Sequence, residues 1–592
     1  MATPSSDPVT DAVPVLPSTL LWVSGSLPES LPPRWQKRYR AIAPRVWVDQ
    51  FPQRPCGEGV PVSLLPYLAL FDLPRSLPSL YGCDDGEESR LVLLTRVPLD
   101  ASHQLLPELE VSLAGADSLQ QLSWLCQHLG LWTRLAEQGV AVSLLKPTNL
   151  RVQGADLRLL ELYGRRDAPL GISRPGQEQA TLAEWVWLWR QWLPRLHPDL
   201  QAWLPERLDH LNDCRDPGRV LEELEAEHRR RASLLPLHLQ IASQTDTGPQ
   251  RELNEDACHP QPGDRSLHWA AVCDGLGGHA GGEEASRLAL EVIRPGIEAL
   301  IAAMDASPEE GHSPAAIAEQ LRRIVIDAND VIFRHNDQRS GVSRMGTTLV
   351  LGLHLPQAIP GGGVSHDLYL VNVGDSRGYW LTAERCLQLT LDDDVATQLT
   401  RQQQATYHQA SLDGSNGALT QALGIFPSAS LQVSVQRLVV ETEGVLLLCS
   451  DGISDCDLIE RFALPETGRL LRGEQTLDRW TEGWIDRANQ LNGHDNVTLA
   501  VLRCSLREPP PDPTPSVPAR SASGSPADAD TLRPSRHPGL IGLGVGVGLG
   551  LLLVTVWAVL RSSPPAPPPP PPVRLQPSRA LPLAPPSKPV GK

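Results

Sequence analysis

No two of the ten cysteines form a Cys-x-x-Cys pair, and none lies in a His-Cys cluster. This excludes a zinc site of the usual spacing and a disulfide framework, and fits thiols kept reduced. Basic residues do not dominate. There are 52 Lys+Arg against 69 Asp+Glu, a net charge of −17 and a pI near 5.4. Such a surface does not hold nucleic acid non-specifically, so no nucleic-acid partner is expected, and it suits hard cations. The N-terminus has no cationic run, only Asp7 and Asp11 among Pro and Ser, so a cleavable secretory signal is not expected. At 592 residues the chain is too long for one core, and two or three domains are expected.

Residues 1–19 are expected to be disordered. Residues 20–231 are rich in Trp, Leu, Pro and Arg and nearly free of lysine. Leu91–Thr95 reads as a strand. Leu119–Gln138 and Leu182–Leu196 carry apolar residues at helical spacing, with their tryptophans expected in the core. One segment, Lys146-Pro147-Thr148-Asn149, precedes Glu161-Leu162-Tyr163-Gly164. It resembles the catalytic and metal-binding loops of the protein kinase family. That resemblance implies a mostly helical, degenerate kinase-like domain used for binding or regulation. Leu144 stands where the family has its catalytic base, Glu161 falls roughly at the metal-binding aspartate, and no Gly-rich phosphate loop precedes them. The competing reading is a chance Lys-Pro-x-Asn in an unrelated helical domain.

Residues 232–506 have another character. The apolar run Trp269–Cys273 ends in Asp274-Gly275-Leu276-Gly277-Gly278-His279. The runs ending at Val373 and Cys449 stop at Gly374-Asp375 and Ser450-Asp451. A fourth, Val497–Leu502, begins just after Asp495-Asn496. Helical patterns at Glu283–Ile301 and Ser313–Asn336 imply sheets covered by helices. A single acidic turn is only a turn, but four from distant parts of the chain favour a hard-cation site.

Arg251-x-x-Asn254-Glu255-Asp256, Asp274-Gly-x-Gly-Gly-His279, Gly346-Thr-Thr348, Gly374-Asp375-Ser-Arg377, Ser450-Asp451-Gly and Asp495-Asn496 together resemble the ordered motifs of the metal-dependent protein serine/threonine phosphatases. The class is protein phosphatase 2C in its bacterial form, over about residues 240–504. The resemblance implies an α/β fold, a two-sheet antiparallel β-sandwich flanked by helices. It also implies hydrolysis of phosphoserine and phosphothreonine on phosphorylated proteins by a water that two Mn²⁺ or Mg²⁺ ions activate. By analogy Asp274 bridges the ions and Gly275 offers its carbonyl. Asp451 and Asp495 complete one site, and Asp256 with Glu255 serves the other. Arg251 binds phosphate, and His279 protonates the leaving group. Asp392 matches the ligand of a third, weaker ion, although the His that follows it in the family is Asp393 here. Gln398–Ala422 falls where the family carries a mobile flap. The alternative is a catalytically inactive phosphoprotein-binding regulatory module.

Residues 507–538, rich in Pro, Ser and Ala, read as a disordered linker. Residues 539–560 are uncharged, apolar and long enough to cross a bilayer, and the tail 561–592 is Pro-rich. Glycines at GxxxG spacing in this run permit self-association. Arg520, Arg533 and Arg536 before the run balance Arg561, Arg574 and Arg579 after it, so charge leaves the orientation open. The reduced thiols beside Asp274 and Asp451 favour a single-pass membrane protein with its catalytic domain in the cytoplasm.

Overall fold

Alternation of buried side chains dictates the first sheet of this computed structural model, which describes residues 20–506 apart from 26–32, 58, 86–89, 215, 265, 278–280, 307–312, 339–343, 360–362 and 413–417. Strands β1 (Leu20–Ser24), β2 (Tyr39–Ala43), β3 (Val46–Asp49), β4 (Ser79–Asp85) and β5 (Arg90–Thr95) form an antiparallel sheet in the order β2-β3-β1-β5-β4. Leu21, Leu91 and Leu93 face one cluster with Trp35 and Trp47, while Leu20, Trp22, Val92 and Leu94 face the other. The short helices α1 (Pro33–Arg38) and α2 (Leu65–Ala69) accompany this sheet. The sequence suggested a mostly helical domain, so this sheet is a correction. Its strands are four to seven residues long, too short for periodicity alone to separate them from loop.

Helices take over after Thr95. They are α3 (Leu109–Ser112), α4 (Ser118–Gly130), α5 (Trp132–Glu137), α6 (Leu182–Trp192), α7 (Pro198–Cys214) and α8 (Pro217–Ala232). The hairpins β6–β7 (Leu150–Gln153, Asp156–Leu159) and β8–β9 (Tyr163–Arg165, Ala168–Pro169) interrupt them between α5 and α6. The Asp117 carboxylate caps α4 by accepting from Gln120 N at 2.9 Å. A Thr181–Glu184 capping box starts α6. On α6 the 185/188/189/192 spacing puts Trp185, Leu188, Trp189 and Trp192 inside and leaves Trp187 exposed.

The next region begins at β10 (His238–Asp246), β11 (Ala257–His259), β12 (Trp269–Cys273) and β13 (Gly275–Leu276). The long helices α9 (Gly281–Ala306) and α10 (Pro314–Gln338) follow. Then come β14 (Gly346–Thr347), β15 (Leu349–Ala358), β16 (Val364–Val373), β17 (Arg377–Leu381) and β18 (Cys386–Gln388). Helices α11 (Val395–Arg401) and α12 (Tyr407–Ala410) precede β19 (Ser434–Val439) and β20 (Gly444–Cys449). The series closes with α13 (Asp451–Ser454), α14 (Leu458–Leu471), α15 (Leu477–Leu491) and β21 (Val497–Ser505).

Two five-stranded antiparallel sheets result, β10-β21-β20-β17-β18 and β11-β12-β15-β16-β19. Strand alternation explains the layers. In β12, Ala270 and Val272 join Leu446 and Leu448 of β20 in the core between the sheets. Trp269, Ala271 and Cys273 point the other way, into α9 and α10. Val445, Leu447 and Cys449 pack beneath α14 and α15. Both faces are buried, which is why these strands read as unbroken apolar runs. The expected helix-flanked two-sheet sandwich is present. Among the described residues no helix is long and apolar enough to cross a membrane. The expected segments 1–19, 507–538, 539–560 and 561–592 lie outside the described residues.

Candidate metal centre

Strand ends assemble the site. Asp274 follows β12 directly, Asp375 follows β16, Asp451 follows β20, and Asp495 sits just before β21. Thr348 fixes the Asp274 backbone: its N–H donates to Asp274 O at 2.8 Å and its hydroxyl accepts from Asp274 N at 3.0 Å. Gly275 admits no side chain, because a Cβ there would lie 2.3 Å from Gly282 O and 2.4 Å from Glu255 O. Gly374, at φ +100°, makes the turn that carries Asp375.

Asn496 clasps the two loops that carry the remaining acids. Its side chain accepts from Glu255 N at 2.9 Å and donates to Thr247 O and Leu253 O at 2.8 and 2.9 Å. Asp256 is thereby held inside, where the Ser450 hydroxyl donates to its Oδ2 at 2.8 Å. Arg251 Nη2 reaches Asp495 Oδ2 at 2.6 Å while the side chain stays 44% exposed.

The electrostatics identify one cluster. Burial pushes Asp256 up to about 7, and the charges of Asp451 and Asp495 push the same way against the Ser450 and Thr498 hydrogen bonds. Burial, then Asp256, Asp451, Asp375 and Asp495, holds Asp274 well above the usual carboxylate range. Burial and the Asp451 charge raise Asp375 to about 7. Burial, Asp455 and Asp495 raise Asp451 to about 6. In each group burial is the largest cause, and repulsion between the carboxylates adds to it. Among the described residues, no three acidic, His or Cys groups enclose a single point as a ligand shell. The donor set is all oxygen, and Glu255 Oε1 is buried without a hydrogen-bond partner. Both facts fit Mn²⁺ or Mg²⁺.

The sequence-derived residues divide accordingly. Glu255, Asp256, Asp274, Gly275, Asp451 and Asp495 come together, with Arg251 at the rim. Asp392 is engaged by Arg377, whose Nη2 lies 2.7 Å from its Oδ2, and by Gln388 Nε2 at 3.2 Å; it borders the cluster through its effect on Asp375. His279 lies outside the described residues. Asp375, Ser450 and Asn496, which the motifs contain, join the site as well. Their strand-end positions were the available signal.

The loop of the N-terminal half is also ordered. Asn149 donates to Ser143 O and Glu161 O at 3.0 Å each and accepts from Glu161 N at 2.9 Å. The buried Glu161 carboxylate takes hydrogen bonds from Trp22 Nε1 at 2.6 Å and the Tyr163 hydroxyl at 3.1 Å. Leu144 is fully buried.

Comparison with known proteins places residues 249–496 on the family model described as protein phosphatase 2C. The serine/threonine phosphatase stp of Listeria monocytogenes is 28% identical over 266 residues, 45% of this chain and 95% of that protein. PstP of Mycobacterium tuberculosis, a serine/threonine protein phosphatase, is 29% identical over 275 residues, 45% of each chain. A solved catalytic domain of PstP in complex with 2 manganese ions is 26% identical, with a TM-score of 0.33, over 45% of this chain and 99% of that one. The family match runs from residue 249 to residue 496. Residues 249–496 are thus similar to the protein phosphatase 2C family and to the bacterial serine/threonine phosphatases.

Proposed function

We propose that this protein hydrolyses phosphoserine and phosphothreonine in phosphorylated proteins, with two Mn²⁺ or Mg²⁺ ions as cofactors. The observation that carries this reading is the convergence of Asp256, Asp274, Asp375, Asp451 and Asp495 into one electrostatically coupled cluster. Asp274, Asp256, Asp451 and Asp495 would hold the ions, with the Gly275 carbonyl and Glu255. When bound, the ions supply a water acidic enough to attack phosphorus at neutral pH. Arg251 presents a planar fork at the rim, where a phosphate dianion competes with Asp495 for it. His279 serves as the acid for the departing alkoxide. The test is phosphate release from a phosphothreonine peptide with and without Mn²⁺. Equal, negligible rates would sink the reading.

We read residues 20–231 as a degenerate kinase-like domain without phosphotransferase activity. Its supports are the buried Leu144 at the base position and the Glu161 carboxylate already occupied by Trp22 and Tyr163. Residues 539–560 would anchor the protein by a single C-terminal pass, with the catalytic domain in the cytoplasm and self-association through the glycine face. A coil-like linker of roughly 30 residues would give it a reach of about 30 Å, which suits signalling substrates near the membrane. External protease that digests residues 232–506 in sealed, right-side-out cells while sparing the tail would invert this topology.

A further inference from the structure

The chain from Asp392 to Thr420 starts and ends beside the acidic cluster. Gly374 N donates to Asp393 Oδ2 at 2.9 Å, and Asp393 N donates back to Gly374 O at 3.0 Å, one residue from Asp375. Thr420 closes the excursion on Asp393 O, through its N–H at 2.7 Å and its hydroxyl at 2.8 Å. Between these points run α11 and α12, and α12 does not rest on the phosphatase sandwich alone. Its Tyr407 ring stacks on Phe71 at 5.7 Å, and His408 stacks on Tyr81 at 4.0 Å. The Thr406 hydroxyl donates to Tyr81 O at 3.1 Å, and Gln409 Nε2 donates to Cys56 O at 3.1 Å. All three partner residues belong to the N-terminal sheet domain.

A second contribution comes from the same side. Arg96, at the end of β5, holds a left-handed backbone (φ 56°) and sets its guanidinium 5.7 Å from the Phe71 ring. It lies in the field of Tyr407, Asp392 and Arg377. Its Nη1 is buried with no hydrogen-bond partner. A groove of about 380 Å³ has Leu68, Ala69 and Asp72 on one wall and Asp393, Arg401 and Val433 on the other. The groove thus runs between the two domains and opens next to the loop that carries Asp392.

We infer that the N-terminal domain holds α11–α12 and the Asp392–Asp394 rim in the arrangement that receives the phosphoprotein chain, with Tyr407 and Arg96 as positioning residues. This rests on the phosphatase reading above. Neither residue touches the reacting atoms, so the effect falls on binding of a polypeptide, which the groove can accommodate, and not on hydrolysis of a small ester.

The experiment uses the full chain with Mn²⁺. Tyr407→Ala, Arg96→Met and Tyr407→Phe are compared on a phosphothreonine peptide and on p-nitrophenyl phosphate, with hydrogen exchange followed over residues 395–410. For Tyr407→Ala and Arg96→Met, KM for the peptide rises about tenfold with kcat changed less than about threefold, while kcat/KM for the small ester stays within about twofold. Exchange across α11 and α12 accelerates in both, and Tyr407→Phe, which keeps the ring stack, behaves as wild type. Equal losses on both substrates, or unchanged peptide KM despite faster exchange, would overturn the inference. Unchanged exchange in Tyr407→Ala would overturn it independently, through the docking itself. Absence of wild-type activity on both substrates would instead defeat the phosphatase reading, and the exchange result would still report on the docking. If Tyr407→Ala fails to fold, Gln409→Ala, which loses the hydrogen bonds to Cys56 O and Gly57 O and the capping contact with Thr406 N, provides the same comparison.

Discussion

Replacing Asp256 by Asn should stabilise the metal-free protein. Asp256 is buried, and its carboxyl is raised from 3.8 to about 7 by burial and by the charges of Asp451 and Asp495. Holding it ionised above pH 7 therefore costs about 4 kcal/mol, at about 1.4 kcal/mol for each tenfold of acidity. Asp274 and Asp451 share that repulsion, so one substitution recovers roughly half, about 2 kcal/mol. For a domain of this size that is a Tm increase of about 4–8 °C. Because the folded pKa lies above the unfolded one, the folded state binds more protons between pH 4 and 7. Wild-type stability from this group accordingly falls as pH rises through that window. The advantage of the variant should be full at pH 8 and vanish near pH 4. Asn keeps an acceptor for the Ser450 hydroxyl, 2.8 Å away in wild type. Added Mn²⁺ should reverse the order, since wild type gains more from binding. Thermal unfolding in EDTA at pH 8 and pH 4.5, then in Mn²⁺, is the assay. A lower Tm for the variant in EDTA at pH 8, or a gap independent of pH, would refute the reasoning.

Asp274→Ala or Asp451→Ala should lower phosphate release at least about a thousandfold while far-UV circular dichroism is unchanged. On the proposed role of Arg251 as the phosphate-binding group, Arg251→Ala should raise KM for a phosphopeptide about tenfold to a hundredfold with a smaller effect on kcat; steady-state kinetics separates the two. The isolated fragment 20–231 should incorporate no labelled phosphate from ATP. In the full chain, Glu161→Ala should cost the N-terminal domain about 2–4 kcal/mol in urea denaturation, since it strands the buried Trp22 N–H and the Tyr163 hydroxyl.

The sandwich and most of its strand-end acids were legible in the chain because both signals are local. Trp269–Cys273 and Gly444–Cys449 are apolar throughout, since one face meets the opposite sheet and the other meets helices, and each run stops at an aspartate. Asp375 was equally visible as a strand end, but its place in the cluster depends on how β16 lies relative to β12 and β20, which no local pattern encodes. The role of Asn496 is a contact across more than two hundred residues, to Leu253 and Glu255. Asp392 looks the same in sequence whether it faces an ion or a guanidinium, and only folding brings Arg377 onto it. Of the N-terminal sheet, Leu91–Thr95 is legible as a strand and lies in β5; the other strands are short and owe their stability to pairing with one another. Likewise, nothing local marks Tyr407 as docked on Phe71. The sequence by itself determined the chemistry, an all-oxygen acidic set at strand ends. The tertiary structure decided which acids share one field and which domain grips the helices beside them, because charge coupling and domain contact depend on distances through space.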